Sequence, residues 1–134
     1  MEMKKFISQD HFAHHLGIEV TEHGLGTARA RMKVGRHHLN SAGTVHGGAI
    51  FSLADAVFSV ASNSHGTLAV AINVSISYFK AASEGMLYAE AEEASFNPKL
   101  ATYLIRIHDG SGALVAFFQG TVYRKKQKLS ELPG

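Results

Sequence analysis

Between Gly48 and about Asn63 the apolar positions recur at helical spacing. Ile50, Ala54, Val57 and Ala61 form one row with Phe51 and Phe58 beside it, and Ala49, Ser52, Ala56 and Ser59 form a second row of small residues. The stretch contains no Pro and is apolar nearly all round, which predicts a buried helix. Several Ser residues and a mid-way acid, Asp55, make it too polar for a membrane span. Elsewhere the pattern alternates with a period of two. It predicts strands over Gly17 to Glu22, Leu25 to Val34, Leu68 to Phe79, Met86 to Phe96, Ala101 to His108 and Ala113 to Arg124. Turn residues separate them: His23-Gly24, Ala82-Ser83-Glu84-Gly85, Asn97-Pro98-Lys99 and Asp109-Gly110-Ser111-Gly112. Ser8 to Leu16 reads as a short helix with Ser8 as N-cap, ended by Gly17. Residues 125–134 read as a frayed basic tail. The order is short helix, two strands, long helix, four strands. It predicts an α+β fold, an antiparallel sheet of five to six strands wrapped around one long central helix.

Composition narrows the class. With 134 residues the chain has the size of one domain, expected to span 1–134, and 46% hydrophobic residues can fill a core. The net charge of +2 comes with nine His and a basic tail, which is weak evidence for nucleic-acid binding, and no nucleic-acid partner is expected. The absence of Cys excludes disulfides and thiolate metal sites and fits a reducing compartment. The first ten residues lack an apolar leader core, so a cytoplasmic location is expected, with no membrane partner.

The candidate chemistry gathers around the central helix. An unpaired carboxylate on a buried helix costs several kcal/mol or has its pKa raised, so Asp55 is either bonded into the structure or kept for reaction. At the helix start the first N–H groups lack internal partners and carry partial positive charge, and Gly47 and Gly48 allow a ligand close to the backbone. That combination suits a developing oxyanion. Gly48 and Asp55 share a face, yet seven residues put them roughly 10 Å apart along the axis, too far to serve one carbonyl. Two antiparallel copies of the helix across a two-fold axis would bring Gly48 of one near Asp55 of the other. A homodimer with a shared site is the expectation.

The pattern N-x-x-G-x-x-H-G-G-x-x-x-x-x-x-D, carried by Asn40, Gly43, His46, Gly47, Gly48 and Asp55, resembles the hot-dog-fold thioesterases. F-S-L-A-D at 51–55, A-S-N-S at 61–64, the strand ending I-S-Y-F-K-A-A-S-E-G and V-A-F-F-Q-G-T-V-Y at 115–123 are similar to the phenylacetic-acid-degradation (PaaI) type of acyl-coenzyme A thioesterase. The resemblance covers roughly residues 10–125 and implies a hot-dog fold and hydrolysis of acyl-coenzyme A thioesters. It implies that Asp55 is the general base or the nucleophile, and that the Gly48 N–H polarises the thioester carbonyl from the partner subunit. It further implies that Asn40 positions the water or the acid, and that His46 orients the loop. Coenzyme A enters as part of the substrate, and no other cofactor and no metal is implied. Dimers of this type often pair into tetramers. Gly47, Phe51, Ser52, Asn73 and Phe79 are the expected substrate contacts, along the helix and the strand after it. Lys80, Arg124 or Lys125 could meet the ribose phosphate. The chain departs from relatives that carry R-P-A where Lys80-Ala81-Ala82 stands, and from relatives with Ser or Thr where Ala71 stands.

Plainer readings compete. Asp55 could bond Ser52 or Ser59, the glycine pair could be a tight packing turn, and Asn40 could cap its own loop. Phe51, Phe58 and Phe79 could be core residues. His11, His14 and His15 fall on one helix face but read as a solvated surface, and His37-His38 reads as an ordinary loop. Two other functions fit the same scaffold: an enoyl-thioester hydratase or dehydratase, and a non-catalytic acyl-coenzyme A binding module. G-x-S-x-G and H-E-x-x-H are both absent.

Overall fold

The computed structural model describes residues 1–133. Chain order is α1 (Met3–Ser8), α2 (His11–His15), β1 (Ile18–Gly24), β2 (Thr27–Lys33), a 3-10 turn at Arg36–His38, and α3 (Gly47–Asn63). Then follow β3 (Thr67–Tyr78), β4 (Met86–Phe96), β5 (Leu100–His108), β6 (Leu114–Lys128) and a second 3-10 turn at Leu129–Glu131. The six strands form one antiparallel sheet in the order β1-β2-β4-β5-β6-β3. The long helix α3 lies across the concave face, packed mainly on β2, β4 and β5. This is the hot-dog arrangement expected from the sequence.

The core explains why the helix forms where it does. Leu53, Ala54, Val57 and Ala61 are fully buried, and they face Met32, Leu87, Ile105, Ile107 and Phe118 of the sheet. Phe58 meets Tyr103 edge-on at 6.0 Å between ring centres and Phe118 in a tilted pair at 5.4 Å. Gly120 on β6 makes room for that ring, because a Cβ there would stand 2.6 Å from it. At the far end of α3, Asn63 ties helix to sheet: its Oδ1 accepts from the Ala69 N–H at 3.0 Å.

The N-terminal segment differs from expectation. One helix capped by Ser8 was expected, and two are present. α2 takes Asp10 as N-cap, whose carboxylate accepts from the Ala13 N–H at 3.0 Å. The C-terminus differs too. β6 continues past Arg124 to Lys128 and Leu129 is buried. Its N–H donates to the Gly66 carbonyl, and its own carbonyl accepts from the N-terminal amine of Met1. His38 is also buried: its Nδ1 accepts from the Gly35 N–H, and its Nε2 bonds the Leu16 carbonyl at 2.7 Å. His38 is thus structural, while His37 is exposed and packs on its ring.

The two edges of the sheet are unlike. β1 carries Glu19 and Glu22 and is bulged between Val20 and Glu22. β3 has no charged residue in its twelve positions, and Val70, Ile72 and Val74 lie 37, 58 and 36% exposed.

Candidate active site

The start of α3 is built by His46. It is the N-cap, and its Nδ1 accepts the Gly48 N–H at 2.8 Å. Its backbone N–H donates to the His38 carbonyl, and its own carbonyl accepts from Ala49 and Ile50. The expectation for Gly48 needs correction here, because its N–H is already taken up by the His46 ring. Among the described residues no hydrogen bond takes up the Gly47 N–H. Gly47 is therefore the helix-start donor left free, as a first-turn N–H has no intrahelical acceptor. Its carbonyl accepts from the Tyr78 hydroxyl at 3.0 Å, which fastens the helix start to the end of β3. A Cβ at Gly47 would come within 3.3 Å of that Tyr78 ring.

Asn40 supports the same loop from the other side. Its Oδ1 accepts from the N–H groups of Ala42 and Thr44 at 2.9 and 3.1 Å, and its Nδ2 donates to Thr44 Oγ1 at 3.0 Å. Within one chain its amide shapes the 40–44 loop and makes no bond to Asp55.

Asp55 stands two turns further along α3. It makes no hydrogen bond among the described residues, and the plainer reading, a bond to Ser52 or Ser59, does not hold. The Ser52 hydroxyl donates instead to the Gly48 carbonyl at 2.7 Å. The helix is not buried all round, as its periodicity suggested, for Asp55 is exposed in the single chain. It lines a recess of about 160 Å³ with Phe58, Ser59, Ser62, Ala69, Ala71 and Val122. Partial burial raises its pKa, and the nearby Asp10 carboxylate raises it further. A carboxylate held in this way is basic and unsatisfied, two properties of a general base or nucleophile.

The remaining expected contacts divide. Phe51 packs edge-on against Phe118 at 5.3 Å and serves the core, as does Phe58. Phe79 lies just past β3 and is 60% exposed. Asn73 is a correction with a clear cause. The β3–β6 register shifts between Ala71 and Asn73. Ala71 pairs with the buried Val122, on the helix side of the sheet, whereas Asn73 pairs with Thr121. Directly opposed residues share a face, so the bulge turns Asn73 away from α3 and Asp55. Nothing in the alternating pattern marked that extra residue. Lys80 is paired with Asp109, which holds that carboxyl well below the usual range. Arg124 donates to Thr67 Oγ1 at 3.1 Å and lies over the Phe96 ring. Of the three basic candidates, Lys125 alone stays uncommitted. Sequence reading passed over Tyr78 and Asp10; an N-cap acid directly before a His-rich helical turn was the available signal for Asp10.

Among the described residues no three His, Asp or Glu side chains converge as a metal site. No helix among them is long and apolar enough to cross a membrane.

Comparison with known proteins identifies the family. The profile of the Thioesterase superfamily matches residues 42–116, from the loop before α3 into β6. A "Putative esterase" of Archaeoglobus fulgidus is 51% identical over 110 residues, covering 81% of this chain and 71% of that one. The acyl-coenzyme A thioesterase PaaI of Escherichia coli is 34% identical over 110 residues, covering 81% of this chain and 79% of that one. The solved Escherichia coli PaaI structure superposes with a TM-score of 0.90 at 31% identity, over 93% of this chain and 91% of that one. PaaI from Thermus thermophilus gives 0.83 at 37% identity, over 87% and 100%. The free carboxylate on the central helix, the histidine-capped glycine turn and these likenesses together place the chain in the thioesterase superfamily, as a PaaI-like hot-dog thioesterase.

Proposed function

We propose that the protein hydrolyses acyl-coenzyme A thioesters in a site completed by a second copy of the chain. The observation that carries this reading is Asp55, a carboxylate in the middle of an apolar helix with no hydrogen-bond partner among the described residues. The free Gly47 N–H lies eight residues earlier, roughly 12 Å along the axis, too far to act on the same carbonyl from the same chain.

The charge-free β3 edge supplies the means of pairing. Natural sheets blunt exposed edges with charge, bulges or cover, and β1 does so; β3, with Ile72 and its neighbours exposed, is left to be covered by another strand. Two β3 strands joined antiparallel would make one continuous sheet with both α3 helices on one face. The helix start of one protomer would then approach Asp55 of its partner. Pairing of two such dimers into a tetramer is part of the same proposal.

In this site the Gly47 N–H polarises the thioester carbonyl, and His46, by capping the turn, aims it. Asp55 takes a proton from water as the oxygen attacks the carbonyl carbon. Collapse of the tetrahedral intermediate breaks the carbon–sulfur bond, and the departing thiolate receives that proton. The products are a free acid and coenzyme A, and no metal or further cofactor enters. Direct attack by Asp55 would instead form a mixed anhydride, later hydrolysed. A single turnover in heavy-oxygen water tests the second route, since label in Asp55 marks an anhydride opened at the Asp55 carbonyl, whereas attack by water on the thioester labels the product alone. The relatives' names point to phenylacetyl thioesters, and medium-chain acyl groups suit the apolar surroundings equally.

The test is thiol release from a panel of aryl-acetyl and straight-chain acyl-coenzyme A thioesters by wild type and Asp55→Ala. Turnover of some member by wild type, lost in the folded variant, is the expected result. Equal rates in both proteins would remove Asp55 from the mechanism.

A further inference from the structure

The recess beside Asp55, about 160 Å³, has room for the head of an acyl group and little more. A longer acyl chain has to continue past it. The aromatic residues expected to receive it do not extend the recess: Phe51 is committed to Phe118, Phe58 packs on Phe118 and closes the recess itself, and Phe79 stands out in solvent.

A second cavity lies next to the recess. It measures about 320 Å³ and is enclosed by the two N-terminal helices, the start of β1 and the 56–60 face of α3. That volume falls within the range of small-molecule sites, about 300–1,000 Å³. Its lining is mainly apolar, with Phe6 and Ile7 of α1, Ala13 of α2, Ile18 of β1, and Ala56 and Val60 of α3, and it also includes Asp10, His14 and Glu19. Ser59 belongs to both the cavity wall and the Asp55 recess, and Ala56 follows Asp55 in the chain. Asp10 also lines the cavity, and its charge acts on the Asp55 carboxyl. The roof is fixed at both ends. Asp10 caps α2, and the Met1 amine in front of α1 is tied to the Leu129 carbonyl.

We propose that this cavity takes the distal part of the acyl group, so that Phe6, Ile7 and Ala13 set the acyl length the protein accepts. The proposal rests on the acyl-thioesterase reading above and names its specificity-determining residues. The N-terminal helices, which contribute little to the central core, are in this view the lid of the acyl site. Burying methylene groups against apolar walls is the driving force.

Two variants move the cavity in opposite directions. Phe6→Ala enlarges it and Ala13→Leu fills it; thermal unfolding checks that both fold. The readout is the ratio of kcat/KM for decanoyl- over butyryl-coenzyme A. We expect the ratio to rise about tenfold in the first and to fall about tenfold in the second, the low end of methylene-scale discrimination by a hydrophobic pocket. Ratios that stay at the wild-type value in both folded variants would overturn the proposal. A wild type that hydrolyses no thioester at all would overturn the hydrolase reading instead. A measurement on unmodified protein covers the case of a misfolded variant. Amide exchange over residues 3–15 should slow with a non-hydrolysable decanoyl-coenzyme A thioether and not with coenzyme A alone. Protection by the thioether confined to other segments would overturn the assignment of the cavity.

Discussion

Two carboxylates, Asp55 exposed on α3 and Glu93 half-buried on β4, meet opposite fates. Glu93 is held from two sides: its Oε2 receives the Tyr103 hydroxyl at 2.7 Å and lies 2.6 Å from His65 Nε2, while His65 stacks on Phe96. Partial burial pushes its pKa up, but the hydrogen bonds from His65 and Tyr103 and the charges of His65 and Arg124 outweigh it, and the net shift is downward. Asp55 has burial and the Asp10 charge acting in the same upward sense and no donor to offset them. The chain satisfies the acid that joins its elements and leaves the other bare. An unpaired carboxylate costs stability, and under the proposed mechanism that cost keeps the group available for reaction.

The sharpest way to break this contrast is to neutralise Asp55. Asp55→Asn should lower kcat for acyl thioesters by about 10³, within the usual 10²–10⁴ of general acid–base catalysis. Its effect on stability should be the reverse of the usual loss. A carboxylate whose folded pKa lies above its unfolded value weakens folding wherever it is ionised, so at pH 7 the variant should melt at or above the wild-type Tm. A clear drop in Tm would show that Asp55 is a structural acid after all.

Next comes the edge. A charge at Ile72, as in Ile72→Lys, should dissociate the dimer in sedimentation or light scattering and reduce turnover about 10²-fold, as expected when a preorganised oxyanion donor is lost. The Glu93 network, complete within one chain, should survive it.

Glu93→Gln is the complementary case. It should cost about 1–3 kcal/mol in denaturant unfolding, because a charged acceptor of two hydrogen bonds is lost, and leave kcat/KM nearly as it was. The pH dependence follows from the sign of each shift. The lowered pKa of Glu93 means its contribution is present above the ordinary carboxylate range and is lost as pH falls through its folded value. Activity, by contrast, should fall on a limb set by the raised pKa of Asp55, above the usual value of about 3.9.

The smallest effect expected is on that limb. Asp10→Asn keeps an N-cap for α2 and removes the like charge, so the acid limb of kcat/KM should move to lower pH by less than about one unit. A limb that does not move would leave burial as the sole cause of the shift at Asp55.

The same contrast marks what the sequence made legible. The element order, the six strands and the central helix follow from periodicity, because each is a local pattern repeated over many residues. Asp55 stood out for the same reason, as one acid in an apolar run. Features that depend on a single residue's geometry escaped. The bulge at Ile72 turns Asn73 to the far side of the sheet without disturbing the alternation seen in the chain. The His46 ring, by taking the Gly48 N–H, moves the free donor back one residue to Gly47. The exposure of Asp55 was hidden because the residues on either side of it in the helix are apolar, so the pattern did not mark which stripe the sheet leaves uncovered. The cavity under α1 and α2 also went unseen, since residues 3–8 had no pattern long enough to read as a helix.

The central claim is that Asp55 of one protomer works with Gly47 of the other, and subunit mixing tests it most directly. Asp55→Asn removes the acid, and Gly47→Pro removes the N–H at a helix position that tolerates proline. Each variant alone should be inactive. Mixed under conditions that exchange subunits, the two should recover about a quarter of the wild-type thioesterase rate, since two-fold pairing leaves one intact site in half of the dimers. A mixture as inactive as its parents, with exchange verified by mass, would contradict a site shared between chains.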